Sequence, residues 1–287
     1  SKTGWADFLD LVATADVVIE SFANGEVQRL GLDYETLAKI NPQLIVVSIS
    51  PFGRTGPKAG WPATDLTIWA ASGAQVLAGD EDRAPVRTSV PQSFLHGGAD
   101  AAGATLLALQ ERHRSGLGQH IDVSTQQSSA QASLSAILAE PNNGGATIQR
   151  AAGGIAGIIK AQLTWPCADG FVTITLLFGP SFTEPNRRLL RWVHEHGACT
   201  AEDVERDWGA HIALIAQSEA EPDAYLELCE KIETFTLKFK RHELFEEGLS
   251  RGIYIAPAFD IADLLEEPHF IARKFWHEID ADGSANT

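Results

Sequence analysis

Two short apolar runs constrain the fold of this chain more than any other feature. Asp16-Val-Val-Ile-Glu20 and Leu44-Ile-Val-Val-Ser-Ile49 have almost no polar interruption, as expected of strands covered on both faces. Helical spacings lie before and between them. Trp5, Phe8, Leu9 and Val12 recur at helical intervals over residues 5–15. A short helix begins at residues 27–30, and Asp33 is a suitable N-cap for another over 34–40, which Asn41-Pro42 stops. The order helix, strand, helix, strand predicts an α/β fold with a parallel sheet and crossover helices.

Downstream, residues 50–62 form a loop rich in Gly, Pro and basic residues, P-F-G-R-T-G-P-K-A-G-W-P from Pro51. A helix over 64–75, an extended segment over 85–90 and a long Ala/Leu helix over 98–114 follow. Next come a Gly turn, a short strand, and a helix opened by Ser124-Thr125-Gln126 that runs to about residue 138. Such a strand-to-helix junction lies at the sheet edge where α/β proteins bind ligands. Residues 150–159 read as a Gly/Ala loop, either linker or lid. Residues 162–178 read as a hairpin with Asp169-Gly170 at the centre of its turn. The change from α/β to hairpin and helices near residue 146 predicts a second domain. A large domain is expected over 1–145, a small one over 146–256, and a linker over 257–287.

Charge narrows the partners. The chain has 22 Lys and Arg against 38 Asp and Glu, a formal net charge of −16. Nucleic acid requires a basic face, so it is not expected as a partner. Anionic membranes are disfavoured for the same reason, and no apolar run approaches the roughly 18 residues that span a bilayer. Cys167, Cys199 and Cys229 are odd in number and far apart, which implies no disulfide framework and a cytoplasmic setting. There are no methionines, and the chain opens at Ser1 within an α/β unit. Both facts lead us to expect part of a longer chain.

Several chemistries lack their parts. No nucleophile elbow, Walker loop or dinucleotide fingerprint follows a strand. His194 and His196 stand two apart, on different faces of a helix, so with Cys199 they do not make a metal set, and no metal is expected. An anion signal is present at Ser21-Phe22-Ala23, just after a buried strand, with Arg29 one helix later. Backbone N–H groups plus one guanidinium suit a phosphate or pyrophosphate, and an ordinary βα turn with a surface arginine is the plainer alternative. Arg54 and Lys58 offer further positive charge.

The segment V-V-I-E-S-F-A-N-G-E-V-Q-R-L-G-L resembles the E-N-F-x-P-G-x-x-x-R-L-G-L signature of class III CoA-transferases, the CaiB/BaiF family. L-I-V-V-S-I-S-P-F-G-R-T-G-P is similar to that family's next strand and loop. R-H-R-S-G-L-G-Q-H-I-D-V-S resembles its R-x-x-T-G-x-G-Q-x-V-D-V-S. W-P-C-A-D-G-F-V-T-I and I-Y-I-A-P-A-F-D-I-A-D-L-L-E-E-P-H-F-I-A-R resemble its small-domain hairpin and the linker back to the large domain.

The resemblance implies a Rossmann-like large domain, a smaller α+β domain and a dimer of interlocked chains. Coenzyme A, as acyl-CoA substrate, would lie against the large domain and a carboxylic acid would be the acceptor. Ser21, Phe22 and Ala23 match the family's CoA-contacting turn, and Arg29 its CoA-contacting arginine. Gly153 and Gly154 fall near its glycine lid loop.

In the family's transferases an Asp five residues beyond the D of D-V-S attacks the acyl-CoA thioester. The mixed anhydride is opened by CoA thiolate, and the resulting aspartyl-CoA thioester is attacked by the acceptor. Here Asp122 is the D of D-V-S, and the nucleophile's position holds Gln127. A neutral amide cannot form that anhydride. Asp122 is the nearest carboxylate, although it reads first as a structural strand-end residue. The family's racemases need the same acid and a His before an Asp, where this chain has Thr64 before Asp65, so a racemase is not expected. The expected function is therefore a CoA-transferase subunit whose nucleophilic Asp comes from a homologous sister chain. A homomeric transferase using another carboxylate and a non-catalytic CoA-binding scaffold are the alternatives.

Overall fold

The computed structural model describes residues 2–80, 82–133, 138, 154–156, 159–176, 181–217 and 219–277. They fall into two compact units, Ser1–Ala151 and Ala152–Thr287. No helix among them is long and apolar enough to cross a membrane.

The first unit runs α1 (Lys2–Val12), β1 (Val17–Glu20), α2 (Glu26–Leu30), α3 (Tyr34–Leu37), β2 (Ile45–Ser50), α4 (Asp65–Ala71), α5 (Ser93–Ser115), β3 (His120–Ser124) and α6 (Thr125–Gln131). Its three strands are parallel in the order β1-β2-β3. The expected parallel sheet is present, with β2 at its centre.

Side chains alternate across a strand, so β2 sends successive residues to opposite layers. Ile45 and Val47 pack with Val123 and with Ala101 and Ala108 of α5. Leu44 and Val46 pack with Val12 and Leu37 on the other face. The continuous apolar run is thus explained by helices on both sides. Each such buried side chain contributes about 1.5–3 kcal/mol relative to exposure.

Gly118 explains much of the G-L-G pattern. A Cβ there would lie 1.9 Å from the Leu44 carbonyl oxygen, so only glycine admits this approach of the two backbones. Its N–H donates to Pro42 O at 2.8 Å. Just upstream, Arg112 in the last turn of α5 pairs with Asp16 at 2.7 Å and locks the helix end to the start of β1.

In the second unit, β4 (Gly154–Ala156) and β5 (Ile159–Ala161) pair antiparallel. A further antiparallel sheet joins β6 (Thr164–Cys167), β7 (Gly170–Ile174) and β8 (Ile255–Pro257). Helices follow at Thr183–Glu195, Ala201–Glu205, Trp208–Ala216, Asp223–Thr236, Arg241–Ser250, Ile261–Glu266 and Pro268–Ala272. Trp165, Ile174, Leu189, Trp192, Leu228 and Phe235 are among its core residues.

Two local expectations change. Gly154 opens a paired strand instead of lying in a continuous loop, whereas Gly153 lies outside the described residues. In the hairpin, Cys167 pairs with Gly170, so Ala168 and Asp169 are the turn residues and Gly170 begins the return strand. Asp169 instead ties the turn outward, accepting the Arg241 N–H at 2.7 Å.

Candidate functional site

The C-terminal ends of the three parallel strands are joined by one polar network. Glu20, the last residue of β1, is 5% exposed, an unusual place for a carboxylate. Arg54, in the loop after β2, explains it: Arg54 Nη2 lies 2.6 Å from both Glu20 oxygens. Arg54 Nη1 donates to Phe22 O at 2.8 Å, and the Phe22 N–H donates to Glu20 Oε2 at 2.9 Å. The ion pair thus grips the Phe22 residue by both its N–H and its carbonyl. Ser21, Phe22 and Ala23 remain exposed around that fixed point.

The backbone N–H of Arg54 reaches the third strand. It donates to both Asp122 oxygens, at 3.0 and 2.9 Å. Gly53, at φ +88°, supplies the turn that aims this N–H, a conformation other residues resist. Asn24 completes the bracing by donating to Arg54 O at 3.4 Å. Sequence alone offered Arg54 as positive charge for an anion. Its buried guanidinium is already committed to Glu20 and Phe22, and that expectation is withdrawn.

Arg29 differs. It lies on α2 beside Glu26 at 3.1 Å, with side chains 66% and 49% exposed. Exposed pairs of this kind are worth about 0–1 kcal/mol, so Glu26 does not hold the guanidinium firmly.

Gln127 sits in the first turn of α6. Ser124 caps that helix, its Oγ accepting the Gln127 N–H at 3.4 Å. Thr125 is buried against α5, where a Cβ on Gly97 would come within 3.0 Å of Thr125 Oγ1. The Gln126 N–H donates to Pro51 O and its Nε2 to Ala71 O, at 2.9 and 2.7 Å. These contacts fix the turn and leave the Gln127 side chain exposed, along a cleft of about 240 Å³ shared with Asp100, Asp122, Ser124, Ser128 and Gln131.

Asp100 was not singled out from the sequence. It stands three residues after Gly97 and four before Ala104, so it shares the α5 face that meets α6. A lone charge on a stripe of small residues was the available signal. Asp122 and Asp100 therefore border one cleft with Gln127, but the Asp122 carboxylate is occupied by the Arg54 N–H.

At the position a racemase would give to His, Thr64 caps α4 in a reciprocal box with Thr67, and Asp65 Oδ1 accepts the Ser93 N–H at 2.8 Å. Neither side chain is placed as a free acid or base. In the second unit, His194 Nδ1 lies 2.7 Å from Cys199 O, while Cys199 donates to Leu190 O at 3.3 Å. Burial pushes the Cys199 thiol up to about 11. His196 packs against Phe235 and Phe239. No group of three or more His, Cys, Asp or Glu side chains among the described residues is arranged to hold a metal ion.

The family model described as CoA-transferase family III matches residues 1–286. The chain is 32% identical over 275 residues to the succinyl-CoA:(R)-benzylsuccinate CoA-transferase subunit BbsE of Thauera aromatica, covering 96% of this chain and 65% of that one. It is 30% identical over 277 residues to the succinate–glutarate CoA-transferase of Agrobacterium fabrum, covering 95% of this chain and 64% of the relative. It thus spans about two-thirds of the length of these curated relatives, or slightly less. A CaiB/BaiF family protein from Brucella suis superposes with a TM-score of 0.80 at 30% identity, over 99% of this chain and 70% of that structure.

Proposed function

The chain belongs to CoA-transferase family III, and from that premise we propose that it binds acyl-CoA and serves in moving CoA to a carboxylic acid. The nucleophilic Asp is supplied by a homologous sister subunit. One observation carries this reading: the cleft position where a nucleophile is needed presents the neutral amide of Gln127. An amide has no carboxylate to attack a thioester carbonyl and expel the thiolate, so the covalent step requires a carboxylate from elsewhere. A relative carrying the word subunit in its name supports the heteromeric form.

In this reading the Ser21–Ala23 turn and Arg29 receive the pyrophosphate of CoA. The chain works in the cytoplasm within an interlocked dimer, with its three buried thiols reduced.

A second reading is favoured by a separate observation. Asp100 lines the same cleft as Gln127, and no ion pair involving it occurs among the described residues. A self-sufficient homomeric transferase would use Asp100 or Asp122. The test is to assay CoA transfer with the purified chain, then with its sister chain added. Activity that appears only on mixing supports the heteromer. Full activity from the chain alone rejects it in favour of the homomer, and CoA binding without activity in either case leaves a scaffold.

A further inference from the structure

The second unit carries a cavity of its own, and we propose that it binds a small organic carboxylate. The cavity holds about 180 Å³ between the helix Thr183–Glu195 and the corner that joins Ala201–Glu205 to Trp208–Ala216. At roughly 30 Å³ per water-sized group, that space admits about six non-hydrogen atoms. Every lining residue belongs to the second unit, so the site does not depend on the CoA reading.

Charge selects the ligand. Arg187 and Arg206 both line the cavity, in a chain whose formal net charge is −16. The Arg187 guanidinium makes no hydrogen bond among the described residues, and its carboxylate neighbour there is Glu184 at 3.8 Å. Glu184 also neighbours Arg188 at 3.5 Å and Arg191 at 3.7 Å, so one carboxylate faces three guanidinium groups. That helix face keeps a positive surplus. Arg206 donates to Glu202 through Nη2 at 2.8 Å, but the Glu202 side chain is 79% exposed and such pairs are weak. The Arg206 guanidinium also lies over the Trp208 ring, 5.1 Å from its centroid. This contact restrains the guanidinium and uses none of its N–H donors. Asp207, the carboxylate on the wall, accepts the Ala210 N–H at 3.0 Å as a helix cap.

The rest of the wall favours an organic anion over an inorganic one. Leu190, Val204 and Trp208 are buried and line the same cavity, so they offer an aliphatic body a place to leave water. Asn186, also buried, adds an amide to the wall. An arginine fork matches the two oxygens of a carboxylate. A carboxylic acid of about four carbons combines that anionic head with an apolar tail and fills the volume.

The experiment is fluorine NMR of the full chain labelled with fluorotryptophan, with the Trp208 signal assigned from Trp208→Phe. The probes are butyrate, its neutral isostere butyramide, and inorganic phosphate. Butyrate should shift the Trp208 signal saturably, and butyramide should not. Phosphate should bind about tenfold more weakly than butyrate, because it has no apolar tail. Arg187→Ala should weaken butyrate by about tenfold, and Arg187→Lys, which keeps the charge, should recover part of the loss. The absence of a saturable shift, an equal shift with butyramide, phosphate binding as tight as butyrate, or unchanged butyrate affinity in Arg187→Ala would each overturn the site. The signal reports on Trp208 alone, so any of these results leaves the CoA reading standing, and a protein that fails to bind CoA leaves the carboxylate site standing.

Discussion

Arg54 and Glu20, 34 residues apart, form a two-point ion pair with side chains 8% and 3% exposed. The pair closes the C-terminal edge of the sheet and fixes the Phe22 backbone. Removing one partner of such a pair leaves a charge stranded out of water, which costs about 3–5 kcal/mol. Glu20→Gln and Arg54→Met should each lose roughly that much in urea unfolding. The double variant should recover a substantial part of the loss. Additive losses would show that the two side chains do not act together.

Arg29 is exposed, and among the described residues its ion pair is with Glu26 alone. If it meets a phosphate of CoA, Arg29→Ala should weaken CoA binding by about 1–3 kcal/mol, with little change in stability. Glu26→Gln should alter stability by less than about 1 kcal/mol. Unchanged CoA affinity in Arg29→Ala would remove this arginine from the site.

Gln127 should be dispensable for chemistry if a sister chain supplies the nucleophile. Gln127→Ala should leave turnover of the assembled enzyme within about twofold. Trapping with hydroxylamine during turnover, followed by mass mapping, should leave the peptides carrying Asp100 and Asp122 unmodified. A hydroxamate on Asp100 would identify the homomeric route.

Asp203 gives the second unit a defined acid sensitivity. Burial pushes its carboxyl up, but hydrogen bonds from the Thr200 N–H and hydroxyl and from the Lys231 ammonium outweigh this and hold it below its ordinary value of 3.8. A carboxyl depressed in the folded state stabilises fully above its unfolded pKa, and that contribution is lost as pH falls through the folded one. Asp203→Asn should therefore lose about 1–3 kcal/mol at pH 7, with the deficit shrinking below pH 4. A deficit constant down to pH 2.5 would contradict this account.

Cys199 and Cys229 are buried, and burial lifts each thiol up to about 11. Cys167 is buried as well, and its thiol is raised in the same direction. Thiolate is the reacting form, so a thiol reagent at pH 8 should label none of the three in the native protein and all three after denaturation. Rapid native labelling would show that the second unit opens locally.

Part of the site was legible because it depends on local pattern. The Ser21–Ala23 turn follows directly from where the first apolar run stops, and the Thr125–Gln131 helix from the Ser/Thr/Gln sequence after β3. The availability of each charged group was not legible. Arg54 and Lys58 lie four residues apart in one Gly/Pro loop and look equivalent in sequence. Folding buries one against Glu20 and leaves the other between two aromatic rings. The Gly/Ala stretch around Gly154 misled because small residues have weak strand preference, and pairing with Ile159–Ala161 gives it its conformation.

Local pattern alone dictates the parallel sheet, since runs such as Ile45-Val46-Val47 are stable only with apolar cover on both faces. The neutral amide at residue 127 is likewise independent of the fold. Tertiary structure decided which carboxylates are occupied and which are open. Glu20, Arg54 and Asp122 meet only because β1, β2 and β3 are neighbours in that order, and Asp100 reaches the Gln127 cleft only because α5 packs against α6. Strand order and helix packing are set by long-range burial, which local periodicity does not encode.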